Sequence, residues 1–135
     1  MARTQAFMTL MLGLALAADA ASAARATASN GLSVVGTSER FEVFTRAGTG
    51  PSDYFCAAGE FARRLGAAPT DRVVVLAGRG PSLQQPNRHS VVFGLRGPPA
   101  RPAPLLSDPF LRVGRAGGSR SVGHAAALCN LAGRR

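Results

Sequence analysis

The sequence predicts an α+β fold: a small antiparallel sheet of about four strands, one main helix, a short C-terminal helix and one disulfide. Three observations carry that prediction. Short runs that are β-branched or alternate apolar with polar residues recur at 31–36, 40–46, 71–78 and 89–95. One stretch, SDYFCAAGEFARRL at 52–65, places its apolar residues at helical spacing instead. Two cysteines, Cys56 and Cys129, are the only ones in the chain. Strands and helices come in a segregated order, not in strand–helix–strand repeats, and no internal repeat is found.

The N-terminus reads as a targeting segment. Arg3 gives a short positive start, AFMTLMLGLALAA (6–18) is apolar, and small residues follow, which is the layout of a secretory signal peptide. The run is shorter than the roughly 20 apolar residues that a stable membrane anchor needs. Cleavage fits after Ala18-Asp19-Ala20 or after Ala21-Ser22-Ala23, and the second is preferred. The organisation expected is therefore 1–23 signal peptide and 24–135 a single small α+β domain, periplasmic or secreted. A single arginine points to the general export route, and no cysteine stands near the cleavage point to take a lipid. No second apolar run follows, so no transmembrane anchor is expected in the mature protein. A domain of this size buries roughly 60–70% of its unfolded surface, a thin core that a covalent link would help.

Along that domain, 24–30 (ARATASN) reads as a frayed start and GLSVVG (31–36) as a short strand. In RFEVFTR (40–46), period-two alternation puts Phe41 and Val43 inward and Glu42 outward. After the AGTGP break, Ser52 is placed to cap the helix and Asp53 to meet its positive end. At about 100° per residue, Tyr54, Ala57, Ala58, Phe61, Ala62 and Leu65 share a face. Cys56 points away from that stripe, Glu60 is in reach of Arg63 and Arg64, and Gly66 suits a left-handed stop. DRVVVLAG (71–78) and HSVVFGL (89–95) form a second hairpin around the loop 78–88. The proline-rich 96–104 reads as an extended surface connection. LLSDPFLRVG (105–114) reads as a turn and edge strand, RAGGSRS as a loop, and SVGHAAALCNLAG (121–133) as a short helix capped by Ser119 or Ser121.

Cys56 has three chemistries open to it. It can pair with Cys129, join Cys129, His89 and His124 around a metal, or act as a nucleophile beside Arg63. No CxxC or HxxxH spacing prepares a metal site, and in an exported domain two cysteines most simply form one disulfide. Cys56–Cys129 is the pairing expected, joining the back of the main helix to the C-terminal helix. A Ser-His-Asp hydrolase finds serines, His89, His124, Asp53, Asp71 and Asp108, but GPSLQ carries Gln84 where a G-x-S-x-G elbow needs glycine. No carboxylate pair is placed in a cleft. No catalytic residue, metal or cofactor is expected.

The formal net charge is +9, and every one of the 16 basic residues is arginine. Such a chain attracts anions, but the arginines are scattered rather than blocked, and lysine-free composition beside abundant Ala and Gly also fits a GC-rich coding bias. The loop GRGPS (78–82) lacks both nucleotide-binding glycine patterns. Its glycines around Arg79, with Ser82, Arg88 and Arg96, still form a candidate anion-binding set. Nucleic acid is not an expected partner.

NGLSV (30–34), RFEVF (40–44), SDYFCAAGEFARRLGA (52–67), RVVVLAGRGPS (72–82), SVVFGL (90–95) and SVGHAAALC (121–129) together resemble a family of small exported bacterial proteins of unassigned function. The most specific part is the S-D-Y-[FW]-C-A-A-G-[DE] helix, where this chain has Phe55 in place of a common tryptophan, followed by the G-x-G-P-S turn. The resemblance implies a signal peptide, a helix cysteine and a second cysteine near the C-terminus. It supplies no catalytic residues. The sequence thus leads to a non-catalytic binding or structural module of the cell envelope. The alternatives are a cationic module that binds anionic envelope polymers through Arg79, Arg88, Arg96 and the Arg63–Arg64 pair, and a small hydrolase.

Overall fold

The computed structural model describes residues 22–98 and 112–132. The signal-peptide reading of 1–23, but for its last two residues, and most of the reading of 96–114 fall outside these residues. The chain is α+β, as expected, but its antiparallel sheet has six strands, not four. They are β1 (Ala24–Thr27), β2 (Ser33–Gly36), β3 (Phe41–Phe44), β4 (Arg72–Pro81), β5 (His89–Arg96) and β6 (Ser119–Ser121), in the spatial order β1-β2-β3-β5-β4-β6. The helices are α1 (Pro51–Arg64), α2 (Val122–Ala127) and α3 (Cys129–Ala132).

The two added strands are both edges. β1 occupies the segment expected to fray, and it pairs along β2 from Ala24↔Gly36 to Thr27↔Ser33. Asn30-Gly31 makes the connection: Gly31 sits at φ 84 and Ala28 N–H donates to Leu32 O at 2.9 Å. A left-handed residue closing a three-residue loop is a standard antiparallel hairpin device. β6, within the expected loop, pairs with β4 from Arg72↔Ser121 to Val74↔Ser119. Residues 112–114, expected in an edge strand, carry none.

Opposite residues across the ladders stack the core in rows. Val34, Val43 and Val91 form one row, and Phe41, Phe93 and Val75 a second. All six are buried, and the helix supplies the matching layer: Phe61 lies 4.9 Å from the Phe41 ring and Phe55 packs edge-on at 5.3 Å against Phe93. α1 starts one residue before Ser52. Gly50 is the N-cap, Pro51 takes the first position, and Asp53 reaches back to accept from Gly50 N–H at 2.8 Å. Its end is as the sequence predicts, at Gly66 with φ 88. Ala67 N–H donates to Ala62 O and Gly66 N–H to Arg63 O, both at 3.0 Å, the double closure of a Schellman motif.

α1 is buried on more than its predicted stripe, because a second layer covers its back. Cys56 is enclosed as fully as Tyr54, and Gly59 is buried too. α2 lies there, capped by Ser121, whose Oγ accepts from His124 N–H at 3.2 Å. The expected single C-terminal helix breaks at Leu128 into α2 and α3.

The far face of the sheet is roofed too, and this reverses the expectation for Glu42. It does project from β3 away from α1, but it is only 2% exposed. The loop after β4 folds over it: Ser82 Oγ–H donates to one carboxyl oxygen at 2.6 Å and Leu83 N–H to the other at 2.9 Å. Arg88 stacks on Phe44 at 4.3 Å beside it. Removing one of these donors leaves a buried carboxyl group short of a partner, which costs about 1–3 kcal/mol. Ser82→Ala is therefore expected to lower the unfolding free energy measured by urea denaturation by an amount in that range without changing the fold.

Candidate functional site

Cys56 and Cys129 are joined in a disulfide with Cα atoms 4.8 Å apart. Of the three chemistries open in the sequence, the staple is the one present, and it ties the back of α1 to α3. Their sulfurs are thereby withdrawn from metal binding and from thiol catalysis in this state. Cys56 is 0% exposed, whereas Cys129 is part-exposed.

The residues singled out for anion binding do not gather in one place. Arg79 donates to Tyr54 Oη at 2.9 Å and stacks over its ring at 5.3 Å. That hydroxyl is also 2.8 Å from Thr49 Oγ1, so the polar tip of a buried tyrosine is held from two sides. Ser82 donates to Glu42 and accepts from Gln84 and Gln85 N–H at 3.1 and 3.0 Å; its hydroxyl is absorbed by the loop. Arg88 lies on Phe44. Arg96 pairs with Arg72 at the opposite end of the β4–β5 hairpin from Pro81 and His89, a span of roughly 20 Å at strand rise. The glycine before Arg79 also has a packing reason: a side chain at Gly78 would run into the Gly114 carbonyl.

His89 begins β5 and His124 lies on α2, and both are exposed. Glu60, expected to pair with Arg63 and Arg64, turns instead to the β1–β2 loop. Its two oxygens accept from Ser29 N–H at 2.7 Å and Ser29 Oγ–H at 2.5 Å.

That contact forms one wall of a feature the sequence did not reveal. An open cleft of about 930 Å³ lies where the β1–β2 loop, the β3–α1 connection, α1 and the C-terminal helices meet. Ser29, Arg46, Glu60, Arg63, Cys129 and Asn130 are among its lining residues. Its carboxyl groups are supplied with donors from the protein: Glu60 by Ser29, Asp53 by Gly50 N–H. Its guanidinium groups are largely unspent. Arg46 gives one bond, from Nη2 to Asn30 O at 2.8 Å, and Arg63 gives none to any described residue. Asn30 braces the wall internally, donating to Asp53 O at 2.8 Å and accepting from Leu32 N–H at 3.2 Å. The balance of free groups facing solvent is thus toward donors and positive charge.

Arg46 and Asn130 were not among the sequence candidates, and no local pattern marks them, since four separated segments make the cleft. The Asn-Gly pair at 30–31 is the one signal that announces part of it, as a hairpin. Comparison with protein-family models, curated proteins and solved structures finds no match to this chain. Among the described residues, no helix is long and apolar enough to cross a membrane.

Proposed function

We propose that this chain is a non-catalytic binding module of the cell envelope, acting after export, and that the cleft beside Arg46 and Arg63 takes an anionic, hydroxyl-rich polymer. One observation carries the reading: the carboxyl groups of the cleft already have protein donors, while of its guanidinium groups Arg46 has a single acceptor and Arg63 none among the described residues. Guanidinium forks suit carboxylate and phosphate oxygens, and the net charge of +9 draws polyanions toward them. An open, polar groove fits a chain segment better than an enclosed small molecule. The disulfide fits a compartment where thiols are oxidised, and the apolar 6–18 segment supplies the export reading. Binding is favoured over catalysis because the cleft lining includes no histidine and its cysteine is held in the disulfide.

The test is a binding titration of the exported protein against lipopolysaccharide and soluble cell-wall fragments at several ionic strengths. Affinity should fall as salt rises through the range where the Debye length is about 8–10 Å. Arg46→Ala and Arg63→Ala are each expected to weaken binding by about tenfold, the loss of a charge-assisted hydrogen bond. Arg79→Ala and Arg96→Ala, outside the cleft, should leave it within about twofold, as scattered surface charges do. Equal losses at all four positions would replace a cleft with diffuse attraction.

A further inference from the structure

The disulfide is asymmetric in its access. Cys56 sits in the middle of α1 at 0% exposure, while Cys129 is part-exposed and lines the cleft. Glu60 follows Cys56 by one helical turn, on the same face. The two sulfurs and a Glu60 carboxylate oxygen all lie within 4.8 Å of one another. Ser29 holds that carboxylate in place through the two bonds already described.

We propose that Cys129 is a thiol-exchange site for low-molecular-weight thiols, and that Glu60 is a positioning residue that restrains the exchange. The reaction is a single displacement. A thiolate arriving along the cleft attacks Cys129 Sγ, the Sγ–Sγ bond breaks, and its electron pair leaves with Cys56 Sγ. The product is a mixed disulfide on Cys129 and a Cys56 thiolate, which takes a proton from solvent. A second thiol then displaces the first as its symmetrical disulfide and returns Cys129 as a thiol. Attack in the other sense would need a nucleophile to reach Cys56 from inside the core.

Glu60 opposes the step twice. Its charge repels an incoming thiolate, and it disfavours the negative charge that develops on Cys56 in a site with little water. Arg46, Arg63 and Asp53 also face the cleft, so the absolute rate reflects all four. Changing Glu60 alone isolates its share. The consequence is a link that resists casual reduction yet opens in one defined direction, releasing α3 from α1.

The experiment treats the intact oxidised protein with two monothiols, cationic cysteamine and anionic mercaptoethanesulfonate, quenches with acid and maps the adducts by peptide mass. The expected adduct is on Cys129, with Cys56 free. Glu60→Gln should react about three- to tenfold faster, and its ratio of cationic to anionic rates should fall below that of the parent. Ser29→Ala loosens the same contact but keeps the charge, so it should retain the parent's ratio. Adducts on Cys56, or shared evenly between the cysteines, would overturn the assignment of the site. A Glu60→Gln ratio equal to the parent's would overturn the role of the carboxylate, whatever happens to the overall rate.

Discussion

Replacing both cysteines with alanine, as C56A/C129A, is expected to lower the unfolding free energy by roughly 4 kcal/mol. The link closes a loop spanning 73 positions, and a loop that long removes much freedom from the unfolded chain. Small domains hold only about 5–15 kcal/mol in all, so the loss takes a large share. It should also be uneven. α3 spans Cys129–Ala132, far below the roughly 12–15 residues at which a helix holds its own shape in water. Leu131 is 59% exposed, so packing does little to hold this piece. Amide exchange throughout α3, Asn130 included, should rise to near-unprotected rates in the double variant, while β3 and β5 stay protected up to the global limit. Urea denaturation of the parent, the reduced parent and the variant measures the first claim, and exchange mapped by residue measures the second. A variant as stable as the parent would mean that α1 and α2 hold the tail unaided.

What could be read from the sequence follows from the range over which each signal acts. α1 was legible because its period, its first-turn acid and Gly66 all lie within one contiguous segment. β4 and β5 were legible because both are β-branched and buried on the α1 face. β1 and β6 were not. SRS has no apolar residue, and ARAT alternates only small alanines with Arg25 and Thr27, a weak signal over four residues; they are strands because β2 and β4 offer them backbone partners, a tertiary effect that overrides local preference. Glu42 fails differently. Alternation put it on the correct face, but a seven-residue strand segment says nothing about a loop 40 positions later folding across that face. The anion set fails for the same reason. Arg79, Ser82 and Arg88 are neighbours in sequence, yet the hairpin sends them to Tyr54, Glu42 and Phe44. Arg46 and Arg63 become neighbours of one cleft only once α1 has docked between the β1–β2 loop and α2.

Gly59→Ala is expected to destabilise the protein, although the same change in an isolated helix would help. Alanine gains about 1 kcal/mol over glycine in a helix interior, from a less mobile unfolded chain and better intrinsic propensity. Position 59 lies mid-way along α1 with an ordinary helical backbone, so this gain is available in full. Packing sets the opposite sign. A methyl group there would run into the Ala126 backbone nitrogen, with the Ala125 carbonyl carbon and Cβ each at 2.8 Å. These are mostly backbone atoms, so no rotamer change relieves the clash; α2 itself must move. Overpacking of this kind costs about 1–3 kcal/mol, and more where the neighbour is pinned. α2 is pinned at both ends. Val122 N–H donates to Asp71 O at 2.7 Å and Gly123 N–H to Pro69 O at 3.0 Å, while Cys129 fixes the other side to α1. The net change should thus be a loss of up to about 2 kcal/mol in urea denaturation, the difference between packing and propensity. Combining Gly59→Ala with C56A/C129A separates the causes. With one pin removed, α2 can shift, and the penalty for the methyl should shrink toward zero or change sign. If Gly59→Ala is stabilising in the parent by the full propensity gain, α1 and α2 do not approach as closely as the structure places them.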